Sequence, residues 1–221
     1  AVAIGRLWAY AAPAAAGLSG FCLLAGAPLG VVQALAIIAA GVMVGASLQV
    51  LRRLTAPFTI VLALGAACWL VGNLAWLASG MLTPAVPWWL AFLVLTIAGE
   101  RLELTRFLPT PPAAQRLFIA IVGTILTGAA LSLWFADGGL RLFAGGLLAL
   151  AGWLLRYDIA RRNARQQGLT RFIAVCLLSG YFWLALAGAL GVTGALLPGD
   201  IWRDAALHAI GLGFVFAMVF G

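Results

Sequence analysis

The sequence predicts an all-α fold: a polytopic bundle of about eight transmembrane helices with its N-terminus in the cytoplasm. Three observations carry that reading. Of 221 residues, 65% are apolar and only 9% charged, against about 25% charged in an ordinary soluble domain. The apolar residues fall into runs near the roughly 20 residues a helix needs to cross the hydrocarbon core. All thirteen basic residues are arginines, and they stand at the ends of those runs. A net charge of +7 and a pI near 10.7 would point a soluble chain toward nucleic acid. Here the arginines report topology, so the partner is the lipid bilayer and nucleic acid is rejected.

The runs give spans at 7–27, 30–51, 57–80, 85–102, 117–136, 139–157, 171–194 and 202–221. Pro28, Pro57, Pro84, Pro87 and Pro198 fall at or beside span ends, where a missing backbone donor costs least. Pro13 lies within the first span and predicts a kink. Arg6, then Arg52 and Arg53, then Arg101, Arg106 and Arg116, then Arg156, Arg161, Arg162, Arg165 and Arg171 fall on one side; only Arg141 and Arg203 fall on the other. The positive-inside rule makes the first side cytoplasmic. Trp76, Trp88, Trp89, Trp134 and Trp202 lie near the outer ends, and Trp8 and Trp153 near the inner ones.

The chain reads as a single transmembrane helical domain over 1–221. It starts without Met and its last span runs into Gly221, so a piece of a longer protein is expected. The longest loop, 157–170, predicts an extension of the sixth helix with Asp158 and Arg162 paired at i,i+4 on its surface. Its basic character also suits anionic lipid or a soluble partner. Residues 107–115 read as a stiff, proline-rich linker. Cys22, Cys68 and Cys176 lie in apolar runs without CxxC spacing and read as small hydrophobes. The Gly41/Gly45 and Ala187/Gly191 steps predict close helix contacts.

Few residues carry chemistry. Asn73 shares a face with Trp69 and Trp76: either an interhelical hydrogen bond or the polar lining of a substrate path. Glu100 and Glu103 share a face continued by Arg106. They read as a salt-bridge cluster at the membrane edge, with a cation or proton site as the alternative. His208 is the only histidine, with Asp204 one turn before it and Gly211 one turn after. A hydrogen-bonded packing residue is the plain reading. An axial haem ligand, oriented by Asp204, is the sharper one. No Walker loop, HExxH, nucleophile elbow or CxxCH occurs, and one histidine cannot build a copper–histidine site alone.

The stretch Leu178-Ser-Gly-Tyr-Phe-Trp-Leu184, followed by Asp204-Ala-Ala-Leu-His-Ala-Ile-Gly-Leu-Gly213, resembles the NnrS family of bacterial multi-span membrane proteins. The resemblance covers about residues 171–215. It implies haem, and less directly copper, together with a role in nitric oxide or respiratory metabolism in the bacterial cytoplasmic membrane. His208 takes the family's Ala-Leu-His-Ala position, and Tyr181 and Trp183 its Gly-Tyr-x-Trp positions. Leu178 stands where the family helix often has a histidine. Two other classes compete: a transporter or channel without a redox cofactor, using Asn73, Glu100 and Glu103, and an assembly or scaffold subunit packed against other membrane subunits.

Overall fold

A computed structural model of the chain describes residues 7–105 and 111–221. Arg6, Arg106 and the first part of the expected linker lie outside the described residues. The structure is 83% helix without strands among the described residues. A 3-10 turn at Leu7–Tyr10 leads into α1 (Ala11–Leu24), followed by α2 (Leu29–Arg53), α3 (Pro57–Ser79), α4 (Val86–Thr105), α5 (Pro112–Leu131), α6 (Ala136–Tyr157), α7 (Ala160–Asn163), α8 (Leu169–Val192) and α9 (Arg203–Phe220). Seven segments are long and apolar enough to cross a membrane: α1 together with the turn before it (Leu7–Leu24), α2, α3, α5, α6, α8 and α9.

The fourth expected span coincides with α4, but α4 carries Glu100, Arg101 and Glu103 in its last two turns. Its uncharged part, Val86–Gly99, covers ~21 Å at about 1.5 Å per residue, short of a hydrocarbon core of ~30 Å. Pro13 sits in the first turn of α1 rather than in mid-span, where its missing N–H breaks no helical bond. The expected linker is partly helix: Pro112 occupies the first turn of α5, five residues before the expected start at 117.

The chain divides into two compact units, Ala1–Gly99 and Glu100–Gly221. In the first unit, α1, α2 and α3 pack in sequence. Pro57 opens α3, and the Thr59 hydroxyl accepts the Ala56 N–H at 3.0 Å, satisfying one of the donors a helix start leaves free. Gly80, at φ 65°, ends α3 in the left-handed conformation that favours glycine. The face of α3 toward α4 is built on Gly65 and Gly72. A Cβ on Gly72 would come within 2.6 Å of the Trp89 ring.

In the second unit, α5 pairs with α6, α6 with α8, and α8 with α9. Glycine again sets the spacing. A Cβ on Gly128 would strike the Phe143 backbone, and one on Gly188 would come within 2.7 Å of the Leu148 nitrogen. The expected Ala187/Gly191 step is a true contact: Ala187 is fully buried and Gly191 faces Ala144. The Gly41/Gly45 step is not, since a Cβ on Gly41 meets nothing and one on Gly45 only brushes Trp8 at 4.0 Å. Arg141 straps α6 to α8, donating to Asp137 Oδ1 at 2.7 Å and to the Val192 carbonyl at 2.8 Å.

The tryptophans divide between two roles. Trp134 and Trp202 are exposed, as interfacial anchors should be. Trp76 and Trp153 are buried instead, and Trp153 Nε1 donates to the Ala114 carbonyl at 2.9 Å, tying α6 to the start of α5. A buried indole N–H usually finds such a partner, although Trp88 Nε1 is sealed without one.

Candidate functional site

Asn73 is a structural hub. It is buried on α3. Its amide donates to the Ala36 carbonyl of α2 at 3.2 Å and its oxygen accepts Trp89 Nε1 of α4 at 3.2 Å. Trp89 also meets Trp76 edge to face, with ring centroids 5.8 Å apart. Gln33 adds a bond to the Trp76 carbonyl at 3.3 Å. Trp69 stacks on Phe92. Three helices thus share one satisfied polar cluster, which is how buried amides are stabilised in apolar surroundings. The sequence reading found Asn73 and its two flanking tryptophans but missed Trp89, which pairs with it from another helix.

Glu100 is exposed on α4, and no described arginine lies within 4.0 Å of it or of Glu103. The charge of Arg101, between the two glutamates in sequence, acts on Asp158. Arg106 lies outside the described residues.

The loop 157–170 does not extend α6. The helix stops at Tyr157, and Asp158 turns to an extended backbone at φ −75° and ψ 153°. Its Oδ1 accepts the Ala160 N–H at 2.8 Å and so caps the turn that starts α7, a local bond that aspartate makes readily. Asp158 is therefore buried and has no ion pair with Arg162. Its second oxygen, Oδ2, is sealed from solvent without a hydrogen bond, and so is the hydroxyl of fully buried Tyr181 on α8. Burial pushes the Asp158 carboxyl above the usual carboxylate range. The Ala160 amide, the Arg101 charge and the Tyr181 hydroxyl oppose that shift in part. Sequence reasoning missed this pair. The available signal was that Asp158 is the one acid among the five arginines of 156–171.

His208 does not face the interior. Its imidazole is exposed, and Nδ1 lies 2.7 Å from the Asp204 carbonyl one turn back. The expected Asp204 carboxylate is exposed and is not the partner; the backbone of the same residue is. Nor is Tyr181 beside it, since Tyr181 turns to Asp158. A carbonyl can only accept, so Nδ1 carries a proton, and in the neutral ring the lone pair is on Nε2. His208 lines an open groove of about 430 Å³ with Trp183 of α8 and Ala205, Ala209, Leu212 and Gly213 of α9.

Gly211, one turn after His208 by regular spacing, does not line this groove. Directly after His208, residues Ala209–Val215 form a π-helical stretch, in which hydrogen bonds span i→i+5 and the turn is wider. The face carrying His208 then continues through Leu212 and Gly213, and Gly211 falls outside it. At Gly213 the Trp183 indole packs so closely that a Cβ would collide with it. Cys68 is buried and Cys22 and Cys176 are half-buried, all three as free thiols. Among the described residues, no three His, Cys, Asp or Glu side chains gather to hold a metal.

An all-helical chain with seven membrane-length apolar helices fits the class of multi-pass helical membrane proteins. Within that class it belongs to the family described as Domain of unknown function (DUF8744), whose model matches residues 1–221. No curated protein and no solved structure matches the chain.

Proposed function

We propose that this chain is an eight-span protein of the bacterial cytoplasmic membrane, N-terminus inside, that holds haem at the His208 groove as its NnrS-like segment implies. The observation that carries the ligand reading is the 2.7 Å contact of His208 Nδ1 with the Asp204 carbonyl. It leaves Nε2 as a free donor over an apolar groove, and metal-binding histidines are commonly oriented this way. His208 would hold the iron, and Trp183 and Leu212 would pack against the macrocycle. Bound there, haem supplies an iron that takes a diatomic gas such as nitric oxide or an electron. Copper does not fit the residues present, because among the described residues His208 is the one imidazole at the groove and no carboxylate or thiol cluster joins it.

The span count rests on parity. Arg52 and Arg53 lie before α3 and Arg116 lies after α4. With α4 crossing, these arginines and those of 156–171 share one side. Without it, the two groups would lie on opposite sides, against the charge rule.

The decisive experiment is an absorption spectrum with metal analysis of the protein purified from its own host's membranes. A Soret band lost in His208→Ala is the expected result; a colourless, iron-free protein overturns the haem reading. The exposure of Trp183, Phe182 and Leu212 favours one second reading, in which a helix of another membrane subunit covers the groove. A colourless protein that co-purifies with that subunit, and loses it in Leu212→Arg, would support that role.

A further inference from the structure

Asp158 is the only buried charged residue type among the described residues. Three facts about its surroundings belong together. Oδ1 is used by the Ala160 amide, while Oδ2 has no partner. The Tyr181 hydroxyl, close enough to act on the carboxyl, is likewise sealed and unpaired. No arginine nitrogen among the described residues lies within 4.0 Å of the carboxylate. An ionised carboxylate held this way would be desolvated without a direct counter-charge, and a buried group in that position takes up a proton instead.

We propose that Asp158 and Tyr181 form a proton-binding site where α6 breaks into α7. Oδ2 carries the proton, and the Tyr181 hydroxyl of α8, which acts on the carboxyl, is the side chain that would receive it in a hydrogen bond. On release, the O–H bond at Oδ2 breaks, the proton passes to water at the end of α6, and the carboxylate keeps the electron pair. The negative charge then faces the Tyr181 O–H and the more distant Arg101 of α4. The other charged groups of this corner point elsewhere: Arg156 lies over the Tyr157 ring at 5.3 Å, and Arg161 and Arg162 on α7 are exposed. Taking a proton from the aqueous phase therefore turns the buried carboxylate from −1 to neutral, and releasing it restores the negative charge. This inference is independent of the haem reading.

Infrared difference spectroscopy of the full chain in lipid discs tests it. At neutral pH the wild type should show the carbonyl stretch of a protonated carboxylic acid. The band should vanish in Asp158→Asn and shift in Tyr181→Phe, and it should convert to carboxylate absorption as pH is raised. A wild type with only carboxylate bands at neutral pH overturns the proposal, and so does a protonated band that survives Asp158→Asn. If Asp158→Asn fails to fold, Tyr181→Phe still decides, because an unmoved band removes Tyr181 as the partner.

Discussion

Asn73 and Asp158 are both buried polar residues, yet they stand in opposite conditions, and each condition has a measurable result. Asn73 has partners on two neighbouring helices. Asn73→Leu would leave Trp89 Nε1 unpaired and take from the Ala36 carbonyl the bond it makes beyond its own helix. A loss of about 1–3 kcal/mol is expected, read as a lower unfolding midpoint in detergent. Trp89→Phe should lose part of the same energy, so the double variant should cost less than the sum of the two. Asp158 has one oxygen unpaired, and its carboxyl is raised by burial. The folded state then binds a proton that the unfolded state releases, so stability falls as pH rises from the ordinary carboxylate range of about 3.9. The fall ends once the folded carboxyl has ionised. Asp158→Asn should flatten that part of a midpoint-versus-pH curve; an unchanged slope would assign it to other groups. Asn73 was legible because a lone amide between tryptophans in an apolar run has few roles. Asp158 was not, because the i,i+4 rule assumes a helix that continues, and the backbone turns at that very residue.

At the scale of elements, hydropathy located the helices well and their contacts poorly. Run length reports what a segment can dissolve in, whereas packing depends on which face meets which neighbour. The two small-residue steps make the point: Gly191 meets Ala144, and Gly41 meets nothing. Spacing within one helix cannot distinguish them, since the difference lies in the partner. Gly188→Leu should therefore push α6 and α8 apart, at a cost on the order of 1–3 kcal/mol for overpacking. Gly41→Leu should be near neutral. Size-exclusion profiles after graded heating would rank them, and equal damage from both would contradict this packing. The His208 face was misread for a related reason. Regular α spacing placed Gly211 beside the imidazole, and the π-helical stretch that follows His208 puts Leu212 and Gly213 there instead.

For the whole molecule, the arginine distribution and the helix list make a joint prediction. Reporter fusions after Arg53 and Arg165 should read cytoplasmic, and fusions near Gly80, Gly138 and Gly199 should read periplasmic. The sensitive element is α4. If it does not cross, the fusions at Gly138, Arg165 and Gly199 change sides together while those at Arg53 and Gly80 stay. The membrane class was legible from composition because no soluble core can hide so much apolar surface. The state of α4 was less so, because a short uncharged run with a charged end satisfies the length rule only in part.

The wide turns of α9 give that helix a property its neighbours lack. A π-helical stretch exchanges i→i+5 bonds for i→i+4 bonds at its edges, one peptide at a time. Each step twists the segment it passes. In α9 that segment carries Leu212 and Gly213, with the Trp183 ring pressed against the second of them. The widened turns thus stand beside the one histidine, and a return to regular α spacing there would re-aim Leu212 and Gly213 around the groove.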